Sequence, residues 1–331
     1  MTKPFFSVLI LFWESAQYLS DILQALEKQS FKDFEIVLLD NGAKEPPDPV
    51  VLSQHSNLDL RLLSSETNLG FAGGNNLAAK SARGEYLVLL NGDAFPESNW
   101  LTILHQAAQT HPGHCFASRL LQANNPETLD GEWNVYHASG LAWRQNHNRS
   151  ANFSSINPRY VISACAAASA YPRSAFEQTG GFDEDFFAYM EDVDLDLRLR
   201  LVGYPCLYLP DAVVHHVGSG STGSRSDFSV FYGQRNLVWA FVKNMPGLLF
   251  WLLLPAHLLV NLGYLLTGLF MANRKSIWQA KKKAVVGLPN MWQKRRQIQS
   301  TRTASIGSFA RLLNWNPFSP LVKLINRHPY R

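Results

Sequence analysis

Acidic residues are missing from the last third of the chain. All 26 Asp and Glu residues lie at or before Asp227, whereas residues 228–331 hold half of the 30 Lys and Arg residues. A basic surface that only faces solvent does not explain why acidic residues are absent over such a length. This region therefore predicts an anionic partner, either membrane phospholipid or nucleic acid. We therefore predict two parts: a body of residues 1–227 and a basic, helical, membrane-associating C-terminal region of residues 228–331.

Cysteine is scarce as well. The three cysteines, Cys115, Cys165 and Cys206, have neither metal-ligand nor paired spacing, which is typical of buried thiols in a reducing compartment. The N-terminus lacks the basic stretch and the cleavage-site pattern of a secretory signal. We therefore expect the body to lie in the cytosol.

The glycine-rich turn at residues 68–74 lacks the spacing of two common phosphate-binding motifs, G-x-G-x-x-G and G-K-[ST]. It argues only weakly for a dehydrogenase or a P-loop NTPase. Backbone N–H groups of such a turn can still approach a phosphate at the N-terminus of the following helix. The turn is therefore compatible with phosphate binding, but it does not indicate which class of nucleotide would bind.

The first hundred residues contain a regular alternation of short apolar runs and helical stretches. Strands are predicted at residues 5–11, 34–39, 58–63 and 85–90, and helices at residues 15–29 and from the glycine-rich turn to Ala82. This alternation predicts an α/β fold with a mostly parallel central sheet flanked by helices. Ligands bind beyond the carboxyl ends of such strands, and both Asp40 and Asp93 fall there.

The middle of the chain gives weaker signals. Residues 112–160 are rich in Asn, His and Trp and are interpreted as connecting structure. Between Val193 and Leu201 the apolar residues alternate strictly, which by its period favours a strand. The segment is built of Leu, Arg and Asp, which favour a helix, and we predict a helix. Short strands at residues 206–209 and 212–214 are predicted to lead to two consecutive histidines.

A long apolar run at residues 247–271 lies in the C-terminal region. It has about the length needed to cross a bilayer, but Pro255, His257 and Asn261 interrupt it. The pattern leaves open whether the segment spans a membrane or lies in its interface. Clusters of Lys and Arg with interspersed Trp follow this run, and they suit anionic lipid headgroups.

Several side chains at strand and helix ends are candidates for chemistry. A carboxylate at the open edge of a sheet, such as that of Asp93, can hold Mg²⁺ or Mn²⁺ while substrate phosphates complete the coordination, although an Asp after a strand is more often a turn residue. Glu191 or Asp192 would serve as a carboxylate base, although acids also favour any helix start. His215 or His216 would serve as a nitrogen ligand.

These residues stand in an ordered set of motifs that resembles the family 2 glycosyltransferases of the GT-A fold, in particular a bacterial subgroup of rhamnosyltransferases. The resemblance extends from about Ser7 to Asn236. Its motifs are, in order, the opening strand Val8 to Trp13; Leu38-Leu39-Asp40-Asn41-Gly42; Asn68-Leu69-Gly70-Phe71-Ala72-Gly73-Gly74-Asn75-Asn76; Leu89-Leu90-Asn91-Gly92-Asp93; Gly180-Gly181-Phe182-Asp183-Glu184; Tyr189-Met190-Glu191-Asp192-Val193-Asp194-Leu195; and Leu209-Pro210-Asp211-Ala212-Val213-Val214-His215-His216.

The resemblance implies an inverting transferase with a GT-A catalytic domain in residues 1–227, which moves a sugar from a nucleotide-diphosphate donor. It implies that Asp93 and His216 hold a divalent cation, Mg²⁺ or Mn²⁺. It also implies that Asp192, with Glu191 beside it, is the general base for the acceptor hydroxyl. The residues that it assigns to the donor are Asp40, Asn68, Gly70, Asn75, Asn76, Asn91 and Arg235.

The sequence departs from the family pattern at three places. Residues 12–14, Phe-Trp-Glu, stand where Thr-Tyr-Asn usually ends the opening strand, and residues 43–45, Ala-Lys-Glu, replace an acidic continuation. Base recognition is therefore expected to differ from the common pattern. Asn91 replaces the first acid of the Asp-x-Asp motif, which leaves Asp93 as the main carboxylate and predicts a modest metal affinity.

The expected partners come from the resemblance together with the charge pattern. The donor is expected to be deoxythymidine-diphosphate (dTDP) rhamnose, with uridine-diphosphate (UDP) hexoses second, and the acceptor a polyprenyl-linked or other glycan. The protein is expected on the cytoplasmic face of the inner membrane, as a peripheral or monotopic protein on an anionic surface. A catalytically silent sugar-nucleotide-binding subunit is the alternative. A nucleic-acid partner is not expected, because the basic residues follow an apolar segment and belong to no recognisable nucleic-acid-binding module.

Overall fold

The computed structural model describes residues 3–218 and 226–320. Its strands are β1 (Phe6–Phe12), β2 (Phe34–Asn41), β3 (Leu60–Ser65), β4 (Tyr86–Asn91), β5 (Ala94–Pro96), β6 (Cys115–Gln122), β7 (Asn125–Gly131), β8 (Asn134–Tyr136), β9 (Ala142–Arg144), β10 (Arg159–Val161), β11 (Ala168–Pro172) and β12 (Cys206–His216). Its helices are α1 (Leu19–Glu27), α2 (Pro49–Gln54), α3 (Gly70–Ser81), α4 (Trp100–Thr110), α5 (Arg173–Gln178), α6 (Glu191–Leu201), α7 (Asp227–Asn244), α8 (Gly247–Gly268), α9 (Arg274–Val286), α10 (Leu288–Ser300) and α11 (Ile306–Ala310).

The central sheet has the strand order β10-β12-β6-β11-β4-β1-β2-β3, with β5 beside β12 and β7 beside β6. Strands β1 to β4 pair in parallel, as their near-continuous apolar sequences predict. Strand β11 is antiparallel to both β4 and β6, and β6 is parallel to β12. Two antiparallel pairings restore the original direction, so β12 ends at the same edge of the sheet as β4.

Residues 112–160, which the sequence left as connecting structure, contain β6 to β9 and the first part of β10. The two short strands predicted at residues 206–209 and 212–214 form one strand, β12, whose register against β6 shifts between Leu209 and Val213. Strands β8 and β9 form a separate two-stranded hairpin. This hairpin lies outside the main sheet and contributes side chains to the site described below.

Two apolar clusters cover the two faces of the sheet. Successive residues of β1 point to opposite faces, so Val8 and Ile10 pack in the cluster with α1 and α4, whereas Leu9 packs with α3, α5 and α6. A third cluster joins α6 to the C-terminal helices α7, α8 and α10. Helix α6 therefore lies between the sheet and the C-terminal helices.

The C-terminal region packs against the body, and part of its charge is internal. Lys243 is buried and pairs with Asp183 at 2.5 Å and with Asp194 at 2.8 Å, and Lys294 pairs with Asp183 at 2.5 Å. Among the described residues, α8 is the one helix that is long and apolar enough to cross a membrane. Of its most apolar 18-residue stretch, 22% is buried inside the protein. The exposed cations that remain are considered with α8 below.

Candidate active site

Three of the predicted site residues, Asn91, Asp93 and His216, meet at the shared edge of β4 and β12. The imidazole Nε2 of His216 lies 3.1 Å from Oδ1 of Asp93 and 3.2 Å from Nδ2 of Asn91. The backbone reinforces this contact, because the N–H of Val217 donates to the carbonyl of Asp93 at 3.0 Å. The ring of His215 points to the other face of the strand, 3.3 Å from Glu97. The structure thus brings His216, and not His215, to Asp93.

A second carboxylate holds the far side of the His216 ring. Oδ2 of Asp130, at the end of β7, lies 2.8 Å from Nδ1 of His216 and also contacts the guanidinium of Arg144. Burial opposes ionisation of Asp130, but Arg144 and His216 outweigh it and hold the pKa of its carboxyl well below its usual range. Burial likewise opposes the charged form of His216, yet its bonds to Asp130 and Asp93 raise the pKa of the ring.

This arrangement fits a divalent cation that is shared with a substrate. When Nε2 of His216 binds a cation, Nδ1–H can donate to Asp130, which is the common way in which proteins orient a ligating histidine. Within residues 3–218 and 226–320, no three His, Cys, Asp or Glu side chains converge as a complete metal cage would. Mg²⁺ commonly uses one or two protein ligands together with phosphate oxygens and water, and Asp93 with His216 supplies such a pair.

The candidate base, Asp192, lies in the first turn of α6. Its Oδ2 accepts a hydrogen bond from the amide of Asn134 at 2.9 Å and one from the backbone N–H of Ala166 at 3.3 Å. In the β8–β9 hairpin Asn134 stands directly opposite Arg144. Burial opposes the charge of Arg144, but the carboxylates of Asp130, Asp192 and Asp93 are among the groups that raise its pKa. Asn134 and Arg144, which face each other in the hairpin, therefore connect the candidate base, Asp192, to the Asp130–His216 pair.

Glu191 differs from its neighbour in its surroundings. Its side chain is buried, and Oε2 has no hydrogen-bond partner in the described part of the chain. Burial, together with the charge of Asp192, raises the pKa of Glu191 well above its usual value. Burial therefore disfavours the charged form of Glu191, which makes Asp192 the better candidate for the base.

The predicted donor residues at the ends of β2 and β3 form a bonded turn. Oδ1 of Asn68 accepts from the N–H of Gly70 at 2.8 Å and from the amide of Asn41 at 3.1 Å. Oδ1 of Asp40 accepts from the N–H of Ala43 at 3.0 Å. Gly70 has a φ of +72°, and a Cβ there would lie 2.5 Å from the carbonyl oxygen of Phe187. This position therefore requires glycine, both for its backbone angle and for space.

Three other predicted donor residues have their polar groups engaged inside the protein. The amide of Asn75 donates to the carbonyl of Phe71 at 2.9 Å. The amide of Asn76 donates to the carbonyl of Phe182 at 2.9 Å and accepts from the N–H of the same residue at 2.8 Å. Arg235 is buried in α7 and donates to backbone carbonyls of the segment before α6. Their part in donor binding stays a prediction.

The sequence reasoning missed Asp130, Arg144, Asn134 and Asn41. The first three come from residues 112–160, where no periodic pattern identified strands. The available signal was an acid-bearing turn, Asp130-Gly131, of the same kind as Asn91-Gly92-Asp93. Asn41 lay inside a recognised motif and could have been read as the residue that holds the glycine-rich turn, because its Oδ1 accepts from the N–H of Leu69 at 3.0 Å.

Comparison with known protein families gives two matches. A family model described as Glycosyl transferase family 2 matches residues 7–180, and one described as Glycosyl transferase family group 2 matches residues 130–325. The chain is 28% identical over 243 residues to a Mycobacterium tuberculosis protein named N-acetylglucosaminyl-diphospho-decaprenol L-rhamnosyltransferase. That match covers 65% of this chain and 77% of the mycobacterial protein.

Solved structures resemble this chain at lower identity. A 1–349 fragment of S. aureus TarS matches with a TM-score of 0.58 and 16% identity, covering 99% of this chain and 93% of that one. A structure of GalNAc-T7 with UDP, GalNAc and Mn²⁺ matches with a TM-score of 0.59 and 17% identity, covering 72% of this chain. The match spans 48% of the GalNAc-T7 chain, about half its length. At these identities the likeness concerns the fold alone.

Proposed function

The chain belongs to the family 2 glycosyltransferases and has the GT-A fold, and on that premise we propose that it transfers L-rhamnose from dTDP-rhamnose to a hydroxyl of a lipid-linked glycan. The transfer inverts the anomeric carbon and belongs to the synthesis of a cell-surface polysaccharide. The mycobacterial relative, named as a rhamnosyltransferase acting on a diphospho-decaprenol, supports both the sugar and the acceptor class. UDP-hexoses are the second choice of donor.

The observation that carries this proposal is the chain of contacts that joins Asp192 to the Asp93–His216 pair: Asn134 bonds Asp192, and Arg144, opposite Asn134 in the β8–β9 hairpin, contacts Asp130, which bonds His216. Asp93 and His216 would hold Mg²⁺ or Mn²⁺ against the donor diphosphate, in agreement with the Mn²⁺ named with GalNAc-T7. When bound, the cation acts as a Lewis acid that stabilises the negative charge of the departing nucleotide diphosphate. Asp130 fixes the orientation of the His216 ring, so the metal-binding nitrogen needs no reorganisation when donor arrives.

On the acceptor side, Asp192 takes the proton of the hydroxyl that attacks the anomeric carbon. A base must lie within hydrogen-bond reach of that proton and remain ionised. Asn134 and the N–H of Ala166 hold Oδ2 of Asp192, and the N–H of Val193 donates to Oδ1 at 2.7 Å. A carboxylate oxygen has two lone pairs, so Oδ1 can still accept a proton from the acceptor hydroxyl. Burial disfavours the charged form of Glu191, so Asp192 and not Glu191 is the proposed base.

On the donor side, the turn that contains Asp40, Asn68 and Gly70 lines the nucleotide and sugar. Asn41 and Asn68 hold the turn through their amides, and α3 begins at Gly70 at the same edge of the sheet. The N–H groups of Gly70 and Ala72 are already bonded, so it is the dipole of the helix that favours an anionic ligand here. This turn is the proposed contact with the donor, beside the end of β2.

Helix α8 supplies the proposed contact with the membrane. One side packs on the body through residues such as Phe250 and Leu253, whereas the other exposes apolar side chains, among them Leu248, Trp251, Leu252, Leu259, Leu262 and Leu266. Helix α9 adds exposed Arg274, Lys275, Lys282 and Lys283 and the exposed Trp278. An apolar face beside cations and Trp suits an interfacial helix on anionic lipid. We place this surface on the cytoplasmic leaflet, where it would meet a polyprenyl-linked acceptor.

A donor screen tests the proposed function. The full chain is incubated with dTDP-rhamnose, UDP-hexoses or GDP-mannose in the presence of Mg²⁺ or Mn²⁺, with and without a polyprenyl-diphosphate-linked glycan, and release of nucleotide diphosphate is measured. The proposal predicts release from dTDP-rhamnose that depends on both the acceptor and the metal. Release from another donor would overturn the assignment of rhamnose. Binding of donor without release would instead support a catalytically silent subunit.

A further inference from the structure

The segment just before the candidate base has a strained backbone. Phe187, Tyr189 and Met190 have φ angles of 64°, 66° and 69°, although none of them is glycine. Positive φ angles at residues other than glycine are strained and persist only where the surroundings impose them. Met190 is the N-cap residue directly before α6, and Asp192 follows two positions later. The conformation of residues 185–190 therefore sets where Asp192 stands.

Two neighbouring residues of α7 bind this segment through its carbonyl oxygens. Asn236 is 0% exposed, and its amide nitrogen lies 2.9, 2.9 and 2.7 Å from the carbonyls of residues 186, 188 and 189. Arg235 donates to the carbonyls of residues 185 and 186 at 2.7 and 3.0 Å. The remaining carbonyl, that of Phe187, accepts from the N–H of Ala72 at 3.1 Å. Every carbonyl from 185 to 189 is thus bonded from outside the segment.

The two side chains are themselves fixed. Nε of Arg235 donates to Oδ1 of Asn236 at 2.8 Å, which orients the amide so that its NH₂ group faces the carbonyls. The guanidinium of Arg235 lies 4.1 Å from the ring centre of Trp239 and 4.7 Å from that of Tyr232. Tyr232 in turn stacks on Phe187 with ring centres 5.2 Å apart. Because the guanidinium of Arg235 is held in this way and bonds Oδ1 of Asn236, the amide of Asn236 is fixed in one orientation.

We propose that Asn236, held by Arg235, is a positioning residue for sugar transfer. It imposes the left-handed backbone of residues 185–190 and so sets the place of Asp192 opposite the donor. The inference rests on the proposed role of Asp192 as the base. The same segment contacts the first turn of α3 through Phe187, so α7 fixes the base relative to the donor turn. The C-terminal region therefore completes the active site in addition to facing the membrane.

The test compares Asn236→Ala with Asn244→Ala. Asn244 is equally buried in the same helix, and its amide donates to Asp194 at 2.7 Å and to Ala240 at 3.1 Å, away from residues 185–190. We expect both variants to lower the unfolding temperature similarly. Asn236→Ala should reduce kcat about 100-fold, the effect of a misplacement of about 1 Å, with the Kd for nucleotide diphosphate unchanged. Asn244→Ala should keep kcat within a few-fold of the parent protein.

A third variant, Asn236→Asp, keeps the shape but replaces the donor NH₂ by an acceptor, and it should lose kcat as Asn236→Ala does. Equal kcat for Asn236→Ala and Asn244→Ala would overturn the inference, as would loss of nucleotide binding in step with kcat. Asp192→Asn, assayed in parallel, separates the two claims. If Asp192→Asn is inactive while Asn236→Ala is fully active, only the positioning role fails; if Asp192→Asn is active, the assignment of the base fails.

Discussion

The contacts of His216 decide how the edge of the sheet can bind a cation. Its two ring nitrogens face two different carboxylates, Asp93 and Asp130, and the ring is 2% exposed. Asp93 and His216 could be predicted from the sequence because each follows a strand within an ordered motif. Asp130 could not be paired with His216 in this way, because 86 positions separate the two residues and Asp130 lies in the stretch 112–160, which has no periodic pattern. A contact of that kind depends on the final fold and not on local pattern.

Replacement of Asp130 by Asn should weaken cation binding. The variant loses the carboxylate that orients the His216 ring and raises the basicity of its metal-binding nitrogen, so the affinity for Mn²⁺ should fall about 10- to 100-fold. The measurement is a titration with Mn²⁺ in the presence of nucleotide diphosphate, followed by electron paramagnetic resonance. Asp211→Asn serves as the control because Asp211 is an exposed residue of β12, the strand that ends in His216. An affinity in the Asp130 variant equal to that of the control would contradict the positioning role of Asp130.

At the level of elements, α6 shows why a sequence period can mislead. Val193, Leu197 and Leu201 pack against the C-terminal helices, whereas Leu195 and Leu199 pack against the sheet. A helix that is buried on two opposite sides needs apolar residues on both, and alternate positions supply them. Residue composition predicted the helix correctly and the period alone would not have done so. In residues 112–160, β6 and β7 were missed because polar residues interrupt their apolar positions, whereas β8 and β9 were missed because they have only three residues each.

Helix α8 is attached to the body by a buried histidine whose titration should be measurable. Nδ1 of His257 lies 2.8 Å from the carbonyl of Ser139, and its ring stacks on Phe241 at 4.0 Å. Burial is the main cause that lowers the pKa of His257 to about 4. Because the folded protein disfavours the charged ring, stability is complete above the unfolded pKa of 6.5 and falls as the pH drops toward 4.

The expected loss from this one group is about 3 kcal/mol across that window. His257→Gln removes the titrating group, so its free energy of unfolding should depend less on pH between 6.5 and 4 than that of the parent protein. Urea denaturation at several pH values measures both proteins, and the difference between them cancels the other titrating groups. Parallel pH profiles for the two proteins would show that His257 is not buried in its neutral form.

For the molecule as a whole, the sequence predicted two parts that differ in charge, and the structure shows them packed on each other. Lys243 and Lys294 pair with acids of the body, whereas the exposed cations of α9 remain for a partner. The charge imbalance visible in the sequence therefore has two causes, internal ion pairs and an outward basic surface. Sequence composition reports only their sum, which is why it could indicate a basic C-terminal region but not the contacts of α7 with the segment before α6.

The exposed face of α8 should carry membrane binding. Leu252 and Leu259 are 74% and 69% exposed and lie seven positions apart on one face, so Leu252→Glu/Leu259→Glu should weaken binding to vesicles that contain anionic phospholipid at least about 10-fold. Ile156→Glu is the matched control, since Ile156 is 83% exposed on the body. Co-sedimentation with vesicles measures both. Undiminished binding of the α8 double variant would place the membrane contact elsewhere.

Asp192 is proposed as the base of a metal-dependent sugar transfer at the site formed with Asp93 and His216. The rate of sugar transfer in Asp192→Asn, measured beside the affinity of the same variant for nucleotide diphosphate and Mn²⁺, tests this role. The rate should fall about 1,000-fold with nucleotide and metal affinity retained, because the donor side does not involve Asp192. Transfer at nearly the parent rate would show that Asp192 is not the base.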